Sequence, residues 1–460
     1  MTLNKFYPLV TIYITNYNYG RYIKQSINSV LNQSYKNFEL IIIDDGSTDN
    51  SRNIIDRYKN NKKIKIVYQK NKGLNKSNNV ALKLSKGDYI SRLDADDWID
   101  ENFLQIMINN LKKDPKIGMI FCNYFLTDKK GKIKDQFFRH DFRKVKLLDQ
   151  PAHGACSLIN TECLKSLGGY NEKFKSQDGV DIWIKLIQKY KIKNINLPLF
   201  YYRQHEENLT KNKLKLFKSR DKIFDIYQKK KQKFTNTICI IPIRGGSEDS
   251  IALKKISSKT VIERLINQLI LSKKIKKIIV SSPDQNILKF INKKYKKKVL
   301  TSKRNFDLSQ FNVPIYKTLI SITKKMEKKI KIDSVLKVNV DHPLLNAQNF
   351  HSSINILNLF EPDEVIAVKK ENETFFQHNG KGLIPVQKSK KLTLENEEIY
   401  KKIGSLHLLT KKCLYNYLNS KKKVTGHLIL DDLTSFRVEN KIDFEILKLL
   451  VKKNFKRKLS

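Results

Sequence analysis

Two apolar runs that stop abruptly in carboxylates constrain this chain more than anything else in it. Phe38 to Ser51 reads FELIIIDDGSTDNS, and Tyr89 to Ile99 reads YISRLDADDWI. A short apolar run bounded by turn residues is the pattern of a buried strand in a parallel sheet. Acids at the carboxyl ends of such strands are where an open α/β sheet holds a nucleotide and its metal ion.

The surrounding pattern agrees. Leu9 to Thr15 reads as a strand, Tyr22 to Leu31 as an amphipathic helix, Phe38 to Ile43 as a strand and Ser51 to Tyr58 as a helix. A strand at Ile64 to Gln69, a helix at Lys76 to Ser85 and a strand at Tyr89 to Leu93 complete a βαβαβαβ order, which implies a mostly parallel sheet. A helix at Glu101 to Lys112, a strand at Met119 to Asn123 and a polar hairpin around Asp128 to Gly131 follow. Leu214 to Lys231 reads as one long basic helix.

Beyond it the chain restarts as if anew. Thr237 to Ile243 is an apolar strand, Arg244-Gly245-Gly246-Ser247 a glycine turn and Val261 to Leu271 a helix. Strands follow at Lys277 to Ser281, Lys298 to Thr301, Ser334 to Val340 and Glu364 to Val368, giving a second α/β nucleotide fold. Domains are therefore expected at 1–231 and 237–456, in keeping with the 460-residue length. The halves share an architecture but no repeated motif.

Lys and Arg number 90 against 45 Asp and Glu, a formal charge of +45. Most of the basic residues are Lys, spread along the whole chain beside abundant Asn and Ile. A nucleic-acid face would cluster its charge and favour Arg with aromatics, so no specific nucleic-acid partner is expected. The five cysteines are scattered with no CxxC pair, which suits a reducing cytosol and speaks against disulfides and structural zinc. No run reaches the ~18 apolar residues needed to span a bilayer. The expectation is a cytoplasmic protein, soluble or peripheral at the inner face of a membrane.

Six motifs occur in order: VTIYITNYNYGRYIKQSINSVLNQSY, FELIIIDDGSTDNS, NKGLNKSNNVALKLSKGDYI, LDADDW, LGGYNEKFKSQDGVDIWIKL and YYRQH. On these, Tyr7 to Thr210 resembles the family-2 inverting glycosyltransferases, whose fold is the nucleotide-binding GT-A type. The resemblance implies a nucleotide-sugar donor, a glycan or lipid-linked acceptor, and Mg²⁺ or Mn²⁺ against the charge of the departing diphosphate. It implies Asp45 as acceptor for the base ring, Thr15 and Tyr17 in the pocket, and Lys76 facing the nucleotide. It further implies Asp94 on the ribose side, Asp96 on the metal and Asp178 as the general base that inversion requires. Strand alternation is expected to point Asp94 and Asp96 the same way. His205 resembles the residue that closes the site over the diphosphate, toward the metal, and Asp181 reads as a helix cap.

ICIIPIRGGS, IIVSSPDQNIL, VLKVNVDHPLL, ENEEIYKKIGSLHLL and FRVENKIDFEIL occur in the second half. With them, Thr237 to Val451 resembles the cytidylyltransferases that form CMP-sugars from CTP and an acidic sugar, a nucleotidyltransferase-like α/β fold. That resemblance implies Arg244, Gly245, Gly246 and Ser247 at the nucleotide, and Asp341 with Glu439 on a metal. The family carries a basic pair after the glycine turn, where this chain has Glu248 and Asp249, acids that would repel a triphosphate. Two expectations stand side by side. Either Lys254, Lys255 or Lys259 substitutes and the chain is bifunctional, or the second half is a non-catalytic module that binds a nucleotide or a partner.

Overall fold

The computed structural model describes residues 7–456 apart from 115, 139–146, 175–176, 207–212, 232–234, 245–249, 311, 372–375, 379–382, 386–398 and 418–421. It divides into two compact units, Met1–Ile223 and Phe224–Glu373 with Glu398–Ser460; Thr374–Glu397 groups with the first. The division falls inside the long helix Lys213–Lys231.

The first unit opens with β1 (Val10–Asn16), α1 (Gly20–Leu31), β2 (Phe38–Asp44), α2 (Ser51–Ile55), β3 (Ile64–Tyr68), α3 (Leu74–Leu84) and β4 (Tyr89–Asp94). This is the βαβαβαβ order that the sequence implies. It continues with β5 (Trp98–Ile99), α4 (Phe103–Leu111), β6 (Ile117–Thr127), β7 (Ile133–Phe137), β8 (Ser157–Asn160), α5 (Thr161–Ser166), α6 (Asp178–Ile187) and β9 (Lys191–Arg203), and α7 (Lys213–Lys231) follows. Among the described residues the sheet has nine strands in the order β3-β2-β1-β4-β8-β6-β9-β5, with β7 on β6. β3, β2, β1 and β4 run parallel.

Residues two apart on a strand share a face, and the core divides accordingly. Ile12, Ile14, Leu40 and Ile42 pack with Ile23 and Ile27 of α1 and Phe103 and Met107 of α4. Tyr13, Ile41 and Ile43 pack on the opposite face with Ala81 of α3 and Ile182, Trp183 and Leu186 of α6. Helices cover both faces, which is why β1 and β2 are apolar throughout rather than alternating. Gly20 starts α1 with the loop after β2 packed close on it: a Cβ there would meet Asn50 Oδ1 at 2.0 Å and Ser51 N at 3.0 Å, and Gly20 N donates to Asp49 Oδ2 at 2.8 Å.

The second unit comprises β10 (Thr237–Pro242), β11 (Lys255–Ile256), β12 (Lys259–Thr260), α8 (Val261–Leu271), β13 (Ile275–Ser282), α9 (Gln285–Tyr295), β14 (Val299–Lys303), α10 (Ile315–Glu327), β15 (Ser334–Val338), α11 (Ala347–Phe360) and β16 (Glu364–Glu371). After β17 (Phe376–His378) and β18 (Leu383–Pro385), which group with the first unit, come β19 (Ile399–Thr410), α12 (Lys411–Tyr415), β20 (Thr425–Ile429) and α13 (Lys441–Lys456). The sheet order is β14-β13-β10-β15-β19-β16-β20, with β14, β13, β10 and β15 parallel and β19 antiparallel to both its neighbours. Thr260 and Glu263 form a capping box that fixes the start of α8.

Trp183 is 1% exposed, packs edge-on to Phe121 and donates from Nε1 to Leu148 O at 3.0 Å. Trp183→Ala should therefore lower stability by ~3–5 kcal/mol, read as a lower urea midpoint. An unchanged midpoint would mean that α6 is not anchored by this ring.

Candidate functional sites

In the first unit the strand ends align. Thr15 lies beside Ile43 on β2 and Asp94 on β4, and Asn16 lies beside Asp44. Asn16 Nδ2 donates to Asp44 Oδ1 at 2.8 Å and to Ser47 Oγ at 2.9 Å, tying the two loops together. Asp45 is buried, and its Oδ1 accepts from Gln69 Nε2 and Lys72 N while Oδ2 accepts from Gly73 N. A carboxylate offers roughly four acceptor positions, so one remains on Oδ2. Gly73, at φ +88°, makes the sharp entry to α3. Beside Asp45 lies a recess of about 440 Å³ lined by Gly46, Arg52, Tyr68 and Gln69. Tyr17 is 46% exposed just past β1, and Lys76 is exposed on α3.

The two acids expected to point the same way do not share a partner. β4 ends at Asp94, and a turn closed by Asp97 N to Asp94 O at 3.1 Å carries Ala95 and Asp96 out of the strand. Strand alternation therefore stops one residue too early to align them. Asp94 Oδ1 lies 3.0 Å from Arg92 Nε, whereas Asp96 Oδ2 lies 2.8 Å from His205 Nε2. The His205 ring stacks on Tyr22 at 5.3 Å.

Arg92 also donates from Nη1 to Asp178 Oδ2 at 2.5 Å, linking β4 to the first turn of α6 across 86 residues. Burial opposes the charge on Arg92, but Asp178 and Asp94 outweigh it and hold the guanidinium firmly protonated. Burial pushes the Asp94 carboxyl up to about 6, against the pull of Arg92 and with Asp96 and Asp178 adding to it. Asp178 sits where the positive end of α6 favours an anion. The backbone crowds it, since a Cβ at Gly154 would stand 3.0 Å from Arg92 Nη2 and 3.4 Å from Asp178 Oδ2. Asp181 lies within the first turn of α6 and pairs with Lys185 at 2.8 Å instead of capping the helix.

Three contributors were not singled out from sequence. Arg92 is one; a charged residue inside an otherwise apolar strand was the available signal. Arg203 is another, donating from N to Asp97 Oδ1 at 2.8 Å and from Nε to Asp96 O at 2.8 Å, its guanidinium 4.7 Å from the Tyr22 ring. Burial, then the charges of Asp96 and Asp94, pushes the Asp97 carboxyl well above its usual range. Tyr22 is the third. Among the described residues there is no group of three or more side chains that could hold a metal. Asp96 and His205 still fit one, because Mg²⁺ and Mn²⁺ are commonly held by one or two side chains with substrate phosphates completing the shell.

In the second unit Gly245, Gly246 and Ser247, with Glu248 and Asp249, lie outside the described residues. Arg244 Nη2 donates to Val313 O at 2.8 Å. Asp341 and Glu439 are brought together, but around a guanidinium: Arg437 donates from Nε to Asp341 Oδ2 at 2.8 Å and from Nη1 to Glu439 Oε1. Asp341 Oδ1 is taken by His342 Nδ1 at 2.9 Å. Burial raises the Asp341 carboxyl, but His342 and Arg437 outweigh it and hold it below the usual carboxylate range. Arg437 thus lies between the two carboxylates, with its own side chain and that of Glu439 more than half exposed. Asp443 accepts from Glu439 N and Asn440 N at the start of α13. Lys255 and Lys259 are exposed on β11 and β12, and Lys254 lies 5.8 Å from the Phe444 ring.

The model of the glycosyl transferase family 2 matches residues 11–168, and that of cytidylyltransferase matches 238–358. An uncharacterized glycosyltransferase of Rickettsia prowazekii is 31% identical over 269 residues, covering 55% of this chain and 83% of that protein. The chondroitin synthase of Escherichia coli is 29% identical over 213 residues, 46% of this chain and 31% of the synthase. The hyaluronan synthase of Pasteurella multocida is 24% identical over 394 residues, 82% of this chain and 40% of the synthase. This chain thus spans less than half the length of either synthase. It belongs to glycosyl transferase family 2, with a GT-A-type first unit, and carries a cytidylyltransferase domain of nucleotidyltransferase-like fold behind it.

Arg92→Met removes the cation between two acids and should cost ~3–5 kcal/mol, because Asp94 and Asp178 are left facing each other away from water. Thermal or urea unfolding measures it, and a loss below about 1 kcal/mol would mean that the pair is solvated and not structural.

Proposed function

We propose that the first unit is an inverting, metal-dependent glycosyltransferase using a nucleotide-diphosphate sugar, acting in bacterial surface-polysaccharide synthesis. The observation that carries it is the single edge where Asp45, Asp94, Asp96 and Asp178 gather, with Arg92 joining two of them. The named synthases among its relatives support the polysaccharide setting.

In this proposal the base ring docks on the remaining acceptor position of Asp45, with Thr15 and Tyr17 beside it and Lys76 facing the nucleotide. Asp94 takes the ribose, and Asp96 with His205 holds Mg²⁺ or Mn²⁺. When bound, that ion offsets the charge growing on the diphosphate. Arg92 fixes Asp178 through Oδ2, which leaves Oδ1 to accept the proton of the acceptor hydroxyl. Arg203 holds Asp96 and Asp97 in place from behind.

For the second functional domain, proposed at 237–456 after a first at 1–231, two functions compete. One is synthesis of a CMP-sugar from CTP and an acidic sugar. The other is a non-catalytic module for a nucleotide or partner, and Arg437 between Asp341 and Glu439 favours it. No helix among the described residues is long and apolar enough to cross a membrane. Cytoplasmic placement is proposed from the scattered, unpaired cysteines, and peripheral contact to anionic lipid from the net charge of +45.

Asp178→Asn should abolish sugar transfer while nucleotide binding and the fold survive, because the amide keeps the shape but not the basicity. Product assay and thermal shift on the same sample check it; unchanged turnover would remove Asp178 as the base. A thermal-shift screen of UDP, GDP, CDP and CTP with Mn²⁺ or Mg²⁺ should show a nucleoside diphosphate stabilising the protein only with metal, and Asp96→Asn losing that dependence. Equal stabilisation in EDTA would contradict the metal assignment.

A further inference from the structure

The helix α13 has two apolar faces, and among the described residues only one of them is packed. Leu447 and Val451 are buried in a cluster with Ile256 of β11 and Val261 of α8. Ile442, Ile446 and Leu449 follow the i, i+4, i+7 spacing that aligns side chains along one side of a helix, and they stand in solvent at 72%, 39% and 67% exposure. A surface helix ordinarily carries one apolar stripe, turned to its core. A second, contiguous stripe in water marks an interaction face.

The charges beside the stripe indicate its occupant. Lys441, Glu445, Lys448 and Lys452 form the neighbouring row at i, i+4, i+7 and i+11, and all four are exposed. Glu445 is paired with Lys448 at 2.7 Å, so the row as a whole is positive. In a chain of formal charge +45, such a row draws an anionic surface and repels a like one. A second copy of this chain would bring lysine rows together. Three side chains also offer far less than the roughly 800 Å² per partner that a stable protein interface buries. A lipid surface demands no matching shape: its acyl boundary takes apolar side chains while lysine heads stay at the level of the headgroups.

We propose that α13 is a membrane-contact helix, lying in the plane of an anionic lipid surface with Ile442, Ile446 and Leu449 inserted between the headgroups and Lys441, Lys448 and Lys452 on their phosphates. At 16 residues with charges along one side, it lies on the bilayer and does not cross it. Leu447 and Val451 keep their places in the core, so binding requires no unfolding. The inference rests on the peripheral lipid contact proposed from net charge and gives that contact a seat.

The test is flotation of the full chain with vesicles of equimolar phosphatidylcholine and phosphatidylglycerol, beside vesicles of phosphatidylcholine alone. Wild type should float with the anionic vesicles and not with the neutral ones. The combined variant Ile442→Gln, Ile446→Gln, Leu449→Gln should lower the partition by about tenfold or more at an unchanged melting temperature. Leu449→Trp supplies a reading that needs no loss of binding, since its emission should move to the blue on anionic vesicles. Wild type that fails to float with anionic vesicles would remove the lipid contact altogether. Flotation kept in full by the folded triple variant, or no blue shift in Leu449→Trp, would leave a charge-driven contact standing and overturn α13 as its seat. A lipid-free dimer in sedimentation that the triple variant abolishes would also overturn it, giving the stripe to a second copy.

Discussion

A single buried guanidinium organises the first unit. Arg92 leaves β4 and holds Asp94 on its own strand and Asp178 at the start of α6, so the sheet edge and the helix are joined by charge rather than by backbone. Remove it and two carboxylates are left close together in a partly desolvated edge. With it, each acid is fixed in orientation, and one oxygen of Asp178 stays available toward the open side. The acid given to the metal in the proposal, Asp96, lies outside this arrangement and faces His205. The division of labour between acids thus follows from which of them the arginine takes.

The second unit uses the same device to the opposite end. Arg437 also bridges two acids far apart in sequence, but here they are the pair that would bind a metal. The cation stands between them at the surface, its side chain more than half exposed.

Local pattern carried most of the fold. The helix at Val261 to Leu271 was legible because its pattern is local in sequence, and the Thr260–Glu263 capping box that fixes its start is a local feature too. The apolar runs of β1 and β2 revealed strands with both faces covered. The site was legible only where a motif holds its own partners. Asp45, Asp94 and Asp96 stood out as acids at strand ends and Asp178 through the family resemblance, but Arg92 did not, because it meets Asp178 across 86 residues. Alternation does not extend to Asp96 because the strand ends at Asp94 and a turn carries Ala95 and Asp96 beyond it, so the two neighbouring acids take different partners.

The central claim is that Asp178 removes a proton on the face opposite the departing diphosphate, which fixes the stereochemistry of the product. Proton NMR of the anomeric centre, recorded during transfer from an α-linked donor chosen by the nucleotide screen, tests this most directly. The expected product is β-linked from its first appearance; an α-linked product would contradict the account.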